Sequence, residues 1–250
     1  MSGLLDLPPG VAGLAIGSCF AAGAIRGFAG FGLSALAMAI LASFISPVQL
    51  LPVFWFLEMA ASLILMKGGW ADAERTTALT LIVSSALGLP LGLLFSLSLD
   101  PGVSKTLALL VLIVLALAQL ARLRLLFLAT RPGTMLSGFC AGLITGISGA
   151  GGMFIAIYAL VRGLPARQMR GTLNIYILGG GTLGLISHLV VGTMTGQAAL
   201  RAVVLIVPTL AGLFLGRALF TPKWEPYYRP VCLGLLISLA AMGLLRLGIS

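Results

Sequence analysis

Two glycine-rich stretches, RGFAGFG at Arg26–Gly32 and TGISGAGG at Thr145–Gly152, lie in the middle of the two longest apolar segments of this sequence. Each of these segments is too long for one membrane-crossing helix, which needs about 20 residues, and rather short for two. Backbone that leaves helical geometry at membrane depth must be buried in protein or line a cavity. Glycine suits such a break because it adopts positive φ and allows close approach. We therefore predict two broken helices, whose second arms begin near Leu33 and Met153.

The composition of the whole chain is that of a membrane protein. Of its 250 residues, 60% are hydrophobic and 8% are charged, whereas a soluble domain carries about 25% charged residues. The apolar runs are long and do not alternate, which favours helices over a β-barrel. The net charge of +9 comes from Lys and Arg in short gaps between apolar runs, where membrane topology places them. We expect the lipid bilayer to surround the chain, and we predict no nucleic-acid partner.

Eight apolar segments follow one another, and the first and fifth contain the glycine breaks. They run from about 10–45, 49–66, 77–97, 103–121, 134–161, 172–191, 198–220 and 230–247. At a constant offset of 119 residues, four glycines around the first break match four around the second: Gly23, Gly27, Gly30 and Gly32 match Gly142, Gly146, Gly149 and Gly151. Chance alignment in a glycine-rich chain is the alternative. We predict a single membrane domain with a duplicated unit of about 120 residues, comprising half one (8–121), a basic linker (122–133) and half two (134–250).

The basic residues predict how the chain lies in the membrane, because cytoplasmic loops hold the excess of Lys and Arg. Placing the linker and the gaps after the second, fifth and seventh segments inside puts 11 of the 15 basic residues in the cytoplasm. Both broken segments then begin and end on one side, as re-entrant hairpins entering from opposite faces. Arms of about 10–12 residues in the fifth segment would reach the midplane. The predicted fold class is an all-α polytopic membrane protein with an inverted repeat. Each half is a glycine-broken hairpin plus three transmembrane helices, as is common in secondary transporters, and both termini lie outside.

The two breaks predict an anion site at the centre of the membrane. The second arms direct free backbone N–H groups and positive dipole ends towards each other. Arg26 adds a fixed positive charge and a fork of donors that suits carboxylate or sulfonate oxygens. The candidate substrate-binding residues are Arg26, Gly27, Gly30, Gly32, Ser34, Trp55, Thr145, Ser148, Gly149, Gly151, Gly152, Asn174 and Tyr176. The other interpretation is that the glycines only permit close helix packing.

Four further polar residues lie inside apolar segments, and each has two interpretations. Glu58 is a static partner of Arg26 or a group that binds and releases protons, since an intramembrane carboxylate is costly and a candidate for function. His188 is a hydrogen-bonded packing residue or a ligand. Asn174 and Tyr176 hydrogen-bond a substrate or bridge helices.

Two long stretches resemble the signature regions of the sulfite exporter TauE/SafE family. They are GAIRGFAGFGLSALAMAILASFISPVQLLPVFWFLEM at Gly23–Met59 and FCAGLITGISGAGGMFIAIYALVRGLPARQMRGTLNIYILGG at Phe139–Gly180. The resemblance implies transport of a small anionic organosulfur substrate or sulfite, usually outward, across the bacterial inner membrane. Many members have a Gly-Gly-Gly version of the first motif. This chain has RGFAGFG there, which leaves open an inorganic or a larger organosulfonate substrate.

Two other classes of protein remain as alternatives. PGVSKT at Pro101–Thr106 faintly resembles a signature of membrane lipid-pyrophosphate phosphatases, but the paired acidic motif of those enzymes is missing. A structural membrane subunit is the second alternative. We predict a secondary carrier and not an enzyme, with no catalytic residue, no metal and no cofactor, since the three Cys form no CxxC and no ATP motif is present. A homodimer is compatible with the sequence.

Overall fold

The computed structural model describes residues 7–69, 73–123, 125–219 and 225–249. Within these ranges the chain forms ten α-helices, one 3-10 helix and no strand, which confirms the all-helical prediction. The helices are α1 Pro9–Ala29, α2 Leu33–Leu41, α3 Pro47–Gly69, α4 Arg75–Ser98, α5 Pro101–Leu120, α6 Arg131–Ser148, α7 Gly151–Val161, α8 Ala166–Val191, α9 Gly196–Ala218 and α10 Glu225–Ile249. The 3-10 helix, Leu126–Ala129, lies in the linker.

Both glycine breaks lie where the sequence predicts them. Gly30 ends α1 in the left-handed conformation at φ 84°, and its N–H donates to the Arg26 carbonyl. Gly32, at φ 92°, then precedes α2. Gly149 ends α6 in the same way, at φ 70° with its N–H on the Thr145 carbonyl. Left-handed backbone is the usual way in which glycine ends a helix, so eight apolar segments become ten helices.

The lengths of the arms correct the expected hairpin geometry. The second arms are short, 9 residues in α2 and 11 in α7, but α1 has 21 residues and α6 has 18. The prediction of 10–12 residues is therefore wrong for the first arm of the fifth segment. α6 begins inside the predicted linker because the Thr130 hydroxyl accepts a hydrogen bond from Gly133 N at 3.1 Å, a helix N-cap. An 18-residue helix is about 27 Å long, close to the thickness of the membrane core.

Six helices are long and apolar enough to cross a membrane, so this is a multi-pass membrane protein. They are Pro9–Ala29, Pro47–Met66, Arg75–Ser98, Pro101–Leu120, Arg167–Val191 and Gly196–Ala218. Large apolar side chains on their outer faces, such as Val83, Leu87 and Val207, are about 70% exposed. In a membrane protein such faces meet lipid.

Helix packing links the two halves in a reciprocal pattern. α1 packs against α9 and α6 against α4, while α3 packs against α9 and α8 against α4. α3 also packs against α8, and α5 against α10. Exchanging α1–α5 with α6–α10 converts each of these pairs into another of them or into itself. The packing fits a duplicated unit, while the inversion of the two halves across the membrane stays a prediction.

Glycines set the closest helix contacts. Gly23 and Gly27 of α1 lie against the backbone of α9, where a Cβ would meet the carbonyl oxygens of Thr209 and Leu213. Gly142 and Gly146 of α6 lie against the backbone of α4 in the same way. For these four glycines, the structure shows the close packing that was the second interpretation of the pattern.

Candidate substrate cavity

A cavity of about 100 Å³ lies between the two glycine breaks. The starts of both short helices form part of its wall, with Ser34 and Ala35 of α2, Gly32 directly before α2, and Gly152 and Met153 of α7. The rest of the wall is Leu51, Phe54, Trp55, Glu58, Met59, Ser85, Leu89, Leu93, Thr145, Gly146, Gly149, Ala150, Tyr176, Ile177, Gly180, Gly181, Gly184 and His188. The breaks therefore share one cavity, as an anion site between two helix N-termini requires.

Nine of the residues proposed from the sequence lie on this wall. They are Gly32, Ser34, Trp55, Glu58, Thr145, Gly149, Gly152, Tyr176 and His188. The structure places the other six away from it: Arg26, Gly27, Gly30, Ser148, Gly151 and Asn174.

Arg26 lies behind the wall and is fully buried. Its Nε atom is 3.1 Å from Glu58 Oε2, so the two residues form an intramembrane ion pair. Its Nη2 atom donates to Ser62 Oγ at 2.7 Å and to Asn174 Oδ1 at 3.3 Å. Arg26 is thus paired with Glu58, which lies between it and the cavity. Direct binding of substrate by Arg26 stays a prediction.

The carboxylate of Glu58 occupies the N-terminus of α2. Its Oε1 atom accepts hydrogen bonds from Ser34 N at 3.3 Å and Ser34 Oγ at 2.9 Å. Gly32 is the N-cap of this helix and Ser34 its second residue. A negative charge here is favourable because the helix dipole is positive at this end. The sequence predicts that substrate binds at the first break, but the carboxylate of Glu58 already lies there.

The N-terminus of α7 differs from that of α2. Met153 N and Phe154 N both donate to the Ala150 carbonyl, at 2.9 and 3.4 Å, so the backbone of Ala150 begins this helix. A Cβ on Gly152 would meet only Ile177 Cδ1, at 3.8 Å. Thr145 lies beside this turn, and its hydroxyl donates to the Ala141 carbonyl at 2.7 Å. Of the two short helices, α2 is the one whose first turn binds the carboxylate of Glu58, whereas Gly152 and Met153 of the first turn of α7 face the cavity.

Three aromatic side chains complete the polar part of the wall. Trp55 Nε1 donates to the Gly181 carbonyl at 2.8 Å, which joins α3 to α8. His188 Nδ1 lies 2.7 Å from Thr193 Oγ1, so the imidazole is hydrogen-bonded, as its packing interpretation requires, and also faces the cavity. Tyr176 is buried and lies on the same wall.

The remaining predicted residues support the breaks from outside the cavity. Asn174 bridges helices, because its Nδ2 also donates to the Ser62 carbonyl at 3.1 Å. Ser148 donates to the Ile144 carbonyl at 3.0 Å. Gly27 packs on α9, and Gly151 leaves room for the hydroxyl of Thr145.

Arg170 was missed by the sequence analysis, which assigned it to the loop after the fifth segment. It lies over Gly30, and its Nη2 donates to the Gly27 carbonyl at 2.9 Å. A cation here satisfies a carbonyl at the C-terminus of α1, where the helix dipole is negative. Ile177 was also missed, although its signal was present: it lies 119 residues after Glu58, at the matching position of the repeat.

The fold and the cavity together define the class of protein: it is a multi-pass helical membrane protein with two broken helices around a central cavity. The model of one family, Sulfite exporter TauE/SafE, matches residues 15–243. The chain therefore belongs to the sulfite exporter TauE/SafE family, which is a family of transporters. Comparison with curated proteins and with solved structures gives no match.

Proposed function

We propose that this protein is a secondary carrier that exports a small sulfur-containing anion, such as sulfite, sulfoacetate or a related sulfonate, across the bacterial inner membrane. The observation that carries the proposal is a cavity between two glycine breaks, lined by the N-terminal turn of α7, in a member of this family. Carrier action also fits a fold in which reciprocal helix pairs surround broken helices.

The first turn of α7 is the part of the cavity best suited to hold the anionic group. The backbone N–H of Gly152, which lies on the wall, and the positive end of the helix dipole are ligands of the kind that bind oxyanions at helix N-termini. The hydroxyls of Ser34 and Thr145 lie on the same wall and add donors. We assign Arg26 the indirect role of neutralising Glu58, so that this carboxylate does not repel the substrate.

The membrane potential can drive the proposed export. A potential that is negative inside favours exit of an anion by about 2.3 kcal/mol per charge per 100 mV. Export of an anion in this direction needs no coupling ion and no chemical step, which is the reason to propose a carrier and not an enzyme.

Efflux from liposomes tests the proposal. Purified protein is reconstituted, liposomes are loaded with labelled sulfite, and a negative-inside potential is set with a potassium gradient. We expect efflux that depends on the protein and on the potential. Gly152→Ala should reduce it at least about tenfold, because the new methyl group lies on the approach to the α7 donors but meets only Ile177 Cδ1, at 3.8 Å.

Gly17→Ala is the matched control, since a Cβ at Gly17 of α1 meets nothing within 4 Å. It should export at the rate of the natural protein. Equal efflux from Gly152→Ala and Gly17→Ala would place the anion elsewhere, and no protein-dependent efflux of sulfite or of any sulfonate would contradict the proposed function.

A further inference from the structure

The wall of the cavity contains no cation among its described residues. None of its residues is a lysine or an arginine, and its one acidic residue is Glu58. Arg26 lies behind the wall and its Nε is 3.1 Å from the Glu58 carboxylate, so these two charges offset each other. His188 Nδ1 is hydrogen-bonded to Thr193 Oγ1 at 2.7 Å. The positive potential available to a bound anion therefore comes from helix N-termini.

The two N-termini contribute unequally to that potential. Each helix end is equivalent to about half a positive charge. The end of α2 is already satisfied by Glu58 through Ser34 N and Oγ. The end of α7 remains, with Gly152 on the cavity wall. This suits one oxyanion head group and leaves nothing to neutralise a second.

The surface facing the rest of the ligand is apolar. Side chains of Leu51, Phe54, Leu89, Leu93 and Met153 make up much of the wall. A second carboxylate placed against this surface would lose its hydration without gaining a cation, which is costly in a low-dielectric interior.

From this distribution of charge we infer that the cavity selects sulfonates with one anionic group and an uncharged tail, and discriminates against ligands with a second anionic group, such as the carboxylate of sulfoacetate. The inference rests on the proposed function and narrows its substrate class. It assigns the selectivity to charge rather than to size.

Two ligands of the same size and shape test the charge rule directly. Sulfoacetate carries a sulfonate and a carboxylate, and sulfoacetamide is the same molecule with a neutral amide in place of the carboxylate. Binding of each to the purified full chain is measured calorimetrically at pH 8, with sulfite and methanesulfonate as references. We expect sulfoacetamide to bind at least about tenfold more tightly than sulfoacetate.

A variant that adds a cation should reverse this preference. Ile177 lies on the wall, with its Cδ1 close to Gly152, and is only half-buried. Ile177→Lys places an ammonium group beside the α7 terminus and should raise the affinity for sulfoacetate relative to sulfoacetamide at least about tenfold. Ile177→Gln, similar in length but uncharged, should keep the ratio of the natural protein.

The binding results distinguish the charge rule from the proposed function. Sulfoacetate binding as tightly as sulfoacetamide to the natural protein would overturn the charge rule and leave the proposed function intact. Binding of sulfite alone would also overturn it, because no sulfonate tail would then be accommodated. Binding of none of the four compounds would overturn both. The comparison of ligands needs no variant, so it holds even if Ile177→Lys fails to fold.

Discussion

Arg26 and Glu58 are two opposite charges inside apolar segments, and their pairing makes each depend on the other. Replacing Glu58 by Gln leaves the fully buried guanidinium of Arg26 without a countercharge. Breaking a buried pair in this way typically costs about 3–5 kcal/mol. We expect Glu58→Gln to lower the melting temperature and the yield of the purified protein, and to reduce transport in proportion.

Removing both charges provides the control for this prediction. In the double variant Arg26→Met, Glu58→Gln no unpaired charge remains, so most of the lost stability should return. A stable Glu58→Gln single variant that exchanges labelled for unlabelled substrate but no longer responds to a pH gradient would favour the proton-binding interpretation of Glu58 instead. Melting temperature and pH-driven uptake into liposomes distinguish the two.

The ion pair could be anticipated from sequence, but its surroundings could not. Glu58 is the one acidic residue that falls in the centre of an apolar segment, so Arg26 was its evident partner. Asn174 joins the same cluster from 148 positions away along the chain. Ser34 donates hydrogen bonds to Glu58 because α2 begins at Leu33, which puts Ser34 in its first turn, a detail of the break. Contacts of this kind depend on tertiary packing, which leaves no periodic signal in the sequence.

At the scale of the helix, glycine has two separable uses in this chain, and α1 allows them to be compared. A Cβ at Gly23 would meet the backbone of α9, with Thr209 C at 3.0 Å and Leu213 N at 3.1 Å. A Cβ at Gly17, earlier on the same helix, meets nothing within 4 Å. Gly23→Ala should therefore separate α1 from α9 and destabilise the protein by about 1–3 kcal/mol, as overpacking does.

Gly17→Ala on the same helix should be neutral or slightly stabilising, because alanine is the better helix former. Thermal unfolding in detergent measures both variants. Equal melting temperatures for Gly23→Ala and Gly17→Ala would contradict the close contact between α1 and α9.

The break after α6 should be equally sensitive to substitution, for a different reason. Gly149 has φ 70°, a conformation that costs other residues about 1–2 kcal/mol, and a Cβ there would lie 3.2 Å from Ser34 Cβ. We expect Gly149→Ala to destabilise the protein and to impair sulfite efflux. Gly180→Ala, also on the cavity wall but with nothing within 4 Å of its Cβ, should unfold at the temperature of the natural protein or above it. A fully stable Gly149→Ala variant would show that the left-handed break is not required.

The positions of the breaks were predictable because glycine in an apolar segment is a strong local signal. The lengths of the arms were not, since the start of α6 is fixed by the Thr130 cap and a proline in its first turn. These are short-range hydrogen-bonding and steric effects, and a count of apolar residues does not register them.

For the whole molecule, the offset of 119 residues anticipated more than the positions of the glycines. Ala29 and Ser148, the last residues of α1 and α6, are separated by this offset, and the later helices of each half follow in the same order. The offset could not indicate that α1 packs on α9 rather than on a helix of its own half. Such pairing is decided by which surfaces fit, as the backbone contacts of Gly23 and Gly27 show.

The orientation of the chain in the membrane is the largest remaining prediction, and two exposed positions between consecutive helices test it. Asp100 lies between α4 and α5, and Leu126, 73% exposed, lies in the linker between α5 and α6. The excess of Lys and Arg places the linker in the cytoplasm and the Asp100 turn, with both termini, in the periplasm.

In a variant whose three native Cys are replaced by Ser, Asp100→Cys should react with a membrane-impermeant maleimide in intact cells. Leu126→Cys should react only after the cells are opened. The opposite pattern would invert the topology, and with it the side from which each broken helix enters. Labelling of both positions from outside would contradict α5 as a membrane span.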